Sequence, residues 1–241
     1  GLMAALLGPG RLRLADDARR VRINVQWPQE SGRVFDLARL SLGPDRPGLA
    51  AARTVAPGLE IRDWLDRFDP KLNGKPLELI PFDLAESVAI APDGQRFVVG
   101  AAWSINAFDR QGKLLWRRHA PDVAYAVNIS ADNRFVVVAY GDGTIRWHRI
   151  ADGGEVLALL VHSDGQRWVA WTPEGYYAAS GADGAFSRRV HAAPIRPQGG
   201  APRAARRAAR QPAVVGAPAA RGRSDPRQQQ LGGVGSAFED R

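Results

Sequence analysis

The chain has 241 residues, of which 45% are apolar, 24% charged and 8% aromatic, with no cysteine and a formal net charge of +8. That length holds one large β domain or two small ones with a buried core, and the missing cysteine excludes a disulfide framework, thiolate metal sites and a thiol nucleophile. The charge is confined to one end: residues 1–184 carry 22 Lys+Arg against 22 Asp+Glu, whereas residues 185–241 carry 11 Arg against Asp225, Glu239 and Asp240.

The opening Gly1-Leu2-Met3-Ala4-Ala5-Leu6-Leu7 is too short and lacks the basic flank of a signal peptide. No apolar run reaches the roughly 18 residues of a membrane-spanning helix, so no membrane role is expected; the compartment stays unknown, with the cytoplasm slightly favoured. A start at Gly1 with the sole methionine at Met3 reads as a piece of something longer. Residues 1–20 are read as a lead-in or a truncated repeat unit. Val34-Phe35-Asp36-Leu37 reads as a third strand, with residues 39–42 as a fourth. The distance from Asp36 to Val88 is 52 residues, against 18 from Asp109 to Val127, so about 34 residues are inserted near 45–85. Within them, 59–64 and 77–80 are expected to form a hairpin standing off the rim of the fold. That excursion reads as weakly ordered, with a partner-binding loop as the alternative.

From Ser87 onward the chain repeats. Residues 87–100, 126–138 and 168–180 align, each an apolar strand, a tight polar turn and a second strand. Their turn acids Asp93, Asp132 and Glu174 are spaced by 39 and 42 residues. A second turn follows at Gly141-Asp142-Gly143 and again at Ala182-Asp183-Gly184, and Asp-Gly suits a tight hairpin with positive φ. Third strands are expected at 104–109 and 144–149, and fourth strands at 114–116 and 155–160. No helical periodicity is sustained. Four short strands recurring at about 40 residues is the pattern of a β-propeller blade. The expected fold is therefore all-β, a partial β-propeller over 21–184 followed by a disordered tail.

These residues resemble the WD40 repeat family over roughly 20–184. Asp142-Gly143-Thr144-Ile145-Arg146 is similar to the family's third-strand opening, and Phe108-Asp109 stands in the place of its Trp-Asp pair. Arg149 replaces the acid in the second copy, and the family's Gly-His pair is missing. The resemblance therefore implies no Asp–His network here and blades that rely on apolar packing. The run Trp168-Val169-Ala170-Trp171-Thr172-Pro173-Glu174-Gly175-Tyr176-Tyr177 is similar to the last blade of bacterial WD40 proteins, some of which carry a caspase-like peptidase domain. That resemblance implies a scaffold or regulatory module whose partner is a protein or an attached effector domain.

No catalytic, cofactor-binding or metal-ligating residues stand out, and no cofactor is expected. His119, His148, His162 and His191 lack metal-ligand spacing. His148 beside Trp147 reads as a packing residue. His162-Ser163-Asp164 holds the residue types of a nucleophile triad, but adjacent residues of one loop cannot take its geometry, and the segment reads as a turn between blades. Asn128-Ile129-Ser130 matches a glycosylation triplet but lies in a strand. Trp103, Trp116, Trp147, Trp168 and Trp171 recur at equivalent positions and are expected in the core between blades. No binding residue can be named at this level.

Beyond Gly184 the strand pattern stops. Residues 185–241 contain 37 Ala, Pro, Gly or Arg among 57, a composition that cannot bury enough apolar area to order itself. The stretch reads as a high-GC coding region translated out of frame, with a genuine disordered basic tail as the alternative. In the second case it would contact nucleic acid or another polyanion nonspecifically, in a salt-sensitive way.

Overall fold

The computed structural model describes residues 12–24 and 32–181. Seventeen strands and no helix occur among them. The first sheet has the order β1 (Arg13–Leu14), β2 (Arg20–Asn24), β3 (Gly32–Asp36) and β4 (Ser41–Pro44), all antiparallel. The insertion carries three short strands, β5 (Ile61–Arg62), β6 (Lys71–Leu72) and β7 (Lys75–Pro76). Two repeat copies follow. The first is β8 (Ala85–Ile90), β9 (Arg96–Ala101), β10 (Ser104–Asp109) and β11 (Leu114–His119); the second is β12 (Ala124–Ile129), β13 (Phe135–Tyr140), β14 (Thr144–Arg149) and β15 (Glu155–Val161). The protein is thus all-β, with antiparallel up-and-down four-strand units where the repeat predicts them.

The third copy departs from the expected arrangement. Its strands β16 (Trp168–Trp171) and β17 (Tyr177–Ala179) do not open a separate sheet; β16 pairs with β15, giving a six-stranded sheet. A hairpin alone is marginally stable. Extending an existing sheet satisfies the edge groups of β15 and sets Trp168, Ala170 and Ala178 on an apolar face. Residues 162–167 are accordingly a hairpin loop within one sheet, not a turn between blades.

The sheets stack face to face, and the alternation of side chains shows how. Along β13, Phe135, Val137 and Ala139 join the cluster facing the first sheet, while Val136, Val138 and Tyr140 join the one facing β8–β11. A strand covered on both sides reads as a continuous apolar run, which is why Phe135-Val136-Val137-Val138-Ala139-Tyr140 shows no polar alternation. The β8–β11 sheet is covered likewise. Val98 and Ala89 face the six-stranded sheet, whereas Val88, Ile90, Phe97, Val99 and Phe108 face the insertion.

Hydrogen bonds fix the layers. Trp147 Nε1 donates to Ala18 O at 2.9 Å, tying the six-stranded sheet to the first, and Trp116 Nε1 donates to Ile150 O at 2.9 Å, tying it to β8–β11. The first strands come together. Ser87 Oγ in β8 donates to Ala124 O in β12 at 2.7 Å, and Asn128 Nδ2 in β12 donates to Leu12 O and Ala50 O at 3.1 and 3.0 Å. Asn128 of the glycosylation triplet is thus buried in structural bonds.

The insertion differs from the expected hairpin. Ile61–Arg62 pairs with Lys71–Leu72, not with 77–80, and β6 turns into β7 through Asn73-Gly74, both with positive φ (49° and 80°). That backbone matches strand twist in a two-residue turn. Leu59, Ile61, Leu72 and Leu77 are buried against Val88, Ile90, Phe97 and Phe108, so the insertion caps the sheet and does not stand off it. Arg110 pins it by donating to Gly94 O at 2.8 Å and Pro57 O at 2.6 Å.

Candidate interaction surface

The histidines are dispersed. His119 is exposed at the end of β11, and His191 lies outside the described residues. His148 is buried, with Nδ1 3.2 Å from Gly153 O and Nε2 3.1 Å from the Tyr140 hydroxyl. A carbonyl only accepts, so Nδ1 carries the proton and Tyr140 donates to Nε2. Burial lowers the His148 pKa to about 4, with the Arg146 and Arg118 charges adding to the effect and the Gly153 bond opposing it. His162 Nδ1 lies 3.0 Å from Asp164 Oδ2, but that carboxylate also accepts from Arg167 Nε and, through Oδ1, from the backbone N–H groups of Gln166 and Arg167. Those bonds hold the Asp164 pKa well below the usual carboxylate range and shape the loop. No cluster of three or more His, Asp or Glu that could hold a metal ion occurs among the described residues.

Four of the five repeating tryptophans pack as expected: Trp116, Trp147 and Trp168 are buried, and Trp171 lies half-buried against the cluster that holds Trp147 and Trp168. Trp103 does not. It sits in the turn between β9 and β10 and is 52% exposed.

Trp103 belongs to a larger feature. Leu65, Phe68 and Phe82 are 48%, 58% and 78% exposed, so four of the six large exposed apolar side chains of the described chain occur at this end of the β8–β11 sheet. Backbone bonds bring their three segments side by side: Ala85 N–H donates to Arg67 O at 2.8 Å and Ala102 N–H to Leu84 O at 2.8 Å. Apolar side chains scattered singly over a surface need no explanation; a group of four does.

Beneath this surface lies a polar network that sequence reasoning missed. The fully buried Asp83 carboxylate accepts from Trp103 N–H at 2.8 Å and from Ser104 Oγ at 2.5 Å. Asn106 Nδ2 donates to Ser104 Oγ at 2.8 Å, and Arg117 bridges Asn106 Oδ1 and Glu78 O at 2.6 Å each. The six-stranded sheet has a counterpart, in which Arg146 joins Thr144 Oγ1, Asp142 and Glu155. The sheets therefore do not rely on apolar packing alone. The spacing of Ser104 and Asn106 on one strand face, matched by Thr144 and Arg146, was the available signal. The network fixes the turn that presents Trp103 and the loop that presents Phe82.

The arrangement offers shape and exposed apolar area over a buried polar support. The Arg-rich residues 185–241 and the turn at Asp183-Gly184 lie outside the described residues. No protein-family model matches the chain, and no curated protein matches it.

Proposed function

We propose that the protein acts by binding: a non-catalytic, WD40-like propeller segment that serves as a scaffold or regulatory module for a protein partner or an attached effector domain. The observation that carries this reading is the group of exposed Leu65, Phe68, Phe82 and Trp103, held over a buried hydrogen-bond network. Exposed apolar patches on a rigid support mark interaction sites. The four-strand repeat and the side-by-side first strands β8 and β12 support the propeller reading. The titratable groups also support it, since His148, Asp83 and Asp164 are each engaged in bonds that hold strands or loops. The experiment is retention of proteins from a cell extract on the immobilised chain. Retention that is saturable and competed by excess free chain is expected; the absence of any such protein would overturn the reading.

The Arg-rich residues 185–241, with a net charge of +8, support a second reading, nonspecific polyanion binding. Nucleic-acid retention that falls steeply with salt and disappears on deleting those residues would favour it over the first.

A further inference from the structure

We infer that the Phe68–Phe82–Trp103 end of the β8–β11 sheet receives a partner-protein segment in which Lys or Arg is interleaved with apolar residues. The inference rests on the binding reading above and adds the partner's chemistry.

The apolar half of the argument is the surface itself. Phe82 is the most exposed large apolar side chain of the described residues, and its backbone is left-handed, φ 64°. A phenylalanine in that region is strained relative to a relaxed backbone. Glycine or asparagine would occupy the position at less cost. At 78% exposure the ring contributes little burial to the fold in return, so its contribution is to what the surface meets.

The charged half comes from backbone placement. The isolated antiparallel bridge between Arg67 and Ala85 brings Asp66 beside Glu86. Neither carboxylate forms an ion pair or hydrogen bond among the described residues, whereas neighbouring acids are satisfied: Asp63 and Asp69 share Lys71 at 2.8 and 3.3 Å, and Asp83 is held by Trp103 and Ser104. Partial burial raises the Glu86 pKa, and the facing Asp66 raises it further. Two acids facing each other beside exposed aromatic rings favour an incoming ammonium or guanidinium, which would relieve their repulsion and lie against the ring faces. An acidic or purely apolar segment would leave that repulsion in place.

The test is selection from a phage-displayed library of random twelve-residue peptides against the immobilised full chain. Parallel selections use Phe82→Asn/Trp103→Ser and Asp66→Asn/Glu86→Gln variants, none of which removes a core side chain; unchanged thermal unfolding verifies that the fold is kept. Peptides with Lys or Arg interleaved with apolar residues should be enriched, with affinity at least tenfold weaker for either variant and falling with salt. Enriched peptides that are acidic or uncharged, or that bind both variants like the parent, overturn the inference while leaving the binding reading intact. No enrichment overturns both. Self-association, or cross-linking of position 103 to residues 185–241, in either case abolished by Phe82→Asn/Trp103→Ser, overturns it in favour of a second copy or the chain's own Arg-rich segment.

Discussion

At position 148 an imidazole stands where the fold admits only its neutral form. Its two nitrogens are committed, one donating to Gly153 O and the other accepting from Tyr140, and burial opposes a charge that Arg146 and Arg118 would also repel. The folded pKa lies near 4, below the ordinary 6.5, so above pH 6.5 the group costs nothing. As pH falls from about 6.5 to 4, the unfolded chain takes up a proton that the folded chain refuses, and stability drops by up to about 1.4 kcal/mol per pH unit. Urea denaturation across that range should show the slope, and His148→Gln should flatten it. A parallel slope in the variant would refute the assignment. Tyr177 is the opposite case. Its hydroxyl is buried without a hydrogen-bond partner among the described residues, so Tyr177→Phe should leave the melting temperature unchanged or raise it. That His148 packs was legible from its place beside Trp147 on a strand. Its tautomer was not, since Tyr140 and Gly153 become its partners only through hairpin geometry.

Elements are held by a few backbone positions that tolerate no side chain and a few side chains that bind backbone. Gly153, in the turn between β14 and β15, has φ 71°, and a Cβ there would meet Trp116 Cε3 at 2.6 Å. Trp116 is itself fixed through Nε1 to Ile150 O, so it cannot swing away. Gly153→Ala therefore combines backbone strain with a clash against a rigid ring. It should destabilise the protein by roughly 2–4 kcal/mol in chemical denaturation. Arg110 works from the other side. Arg110→Ala releases Gly94 O and Pro57 O and should raise protease cleavage within residues 45–84 while β8–β15 stay resistant. The turn at Gly153 was readable as a turn because Asp152-Gly153-Gly154 is turn chemistry. The seating of the insertion was not readable, because Leu59, Ile61 and Leu77 lie in a segment with no repeat to give their register, and the sheet face that covers them comes later in the chain.

Across the whole molecule the decisive contact joins the two ends of the described chain. Phe35 on β3 meets Trp168 on β16 edge to face, with ring centroids 4.8 Å apart, inside a cluster that runs from Leu12 to Ala178. The repeat made the strands and their hairpins legible, since each hairpin is encoded within about 15 residues of sequence by apolar runs and turn residues. It did not reveal that the first sheet would cover the six-stranded one, nor that the third copy would extend β15. Both are decided by which apolar faces remain uncovered once the sheets exist. Truncating either ring should cost about 3–5 kcal/mol, since each lies in a core that cannot readily collapse. The informative quantity is the coupling. If Phe35 and Trp168 stabilise the fold together, the double variant Phe35→Ala/Trp168→Ala should be less destabilised than the sum of the single variants by about 0.5–1.5 kcal/mol. If the first sheet and the third hairpin were held independently, through Trp147 to Ala18 O and through β15 alone, the two losses would add. Urea unfolding of the four proteins of this cycle separates the cases: additive losses would mean that β16 and β17 merely extend β15, and a coupling of that size would mean that the two ends of the described chain close the stack by holding each other.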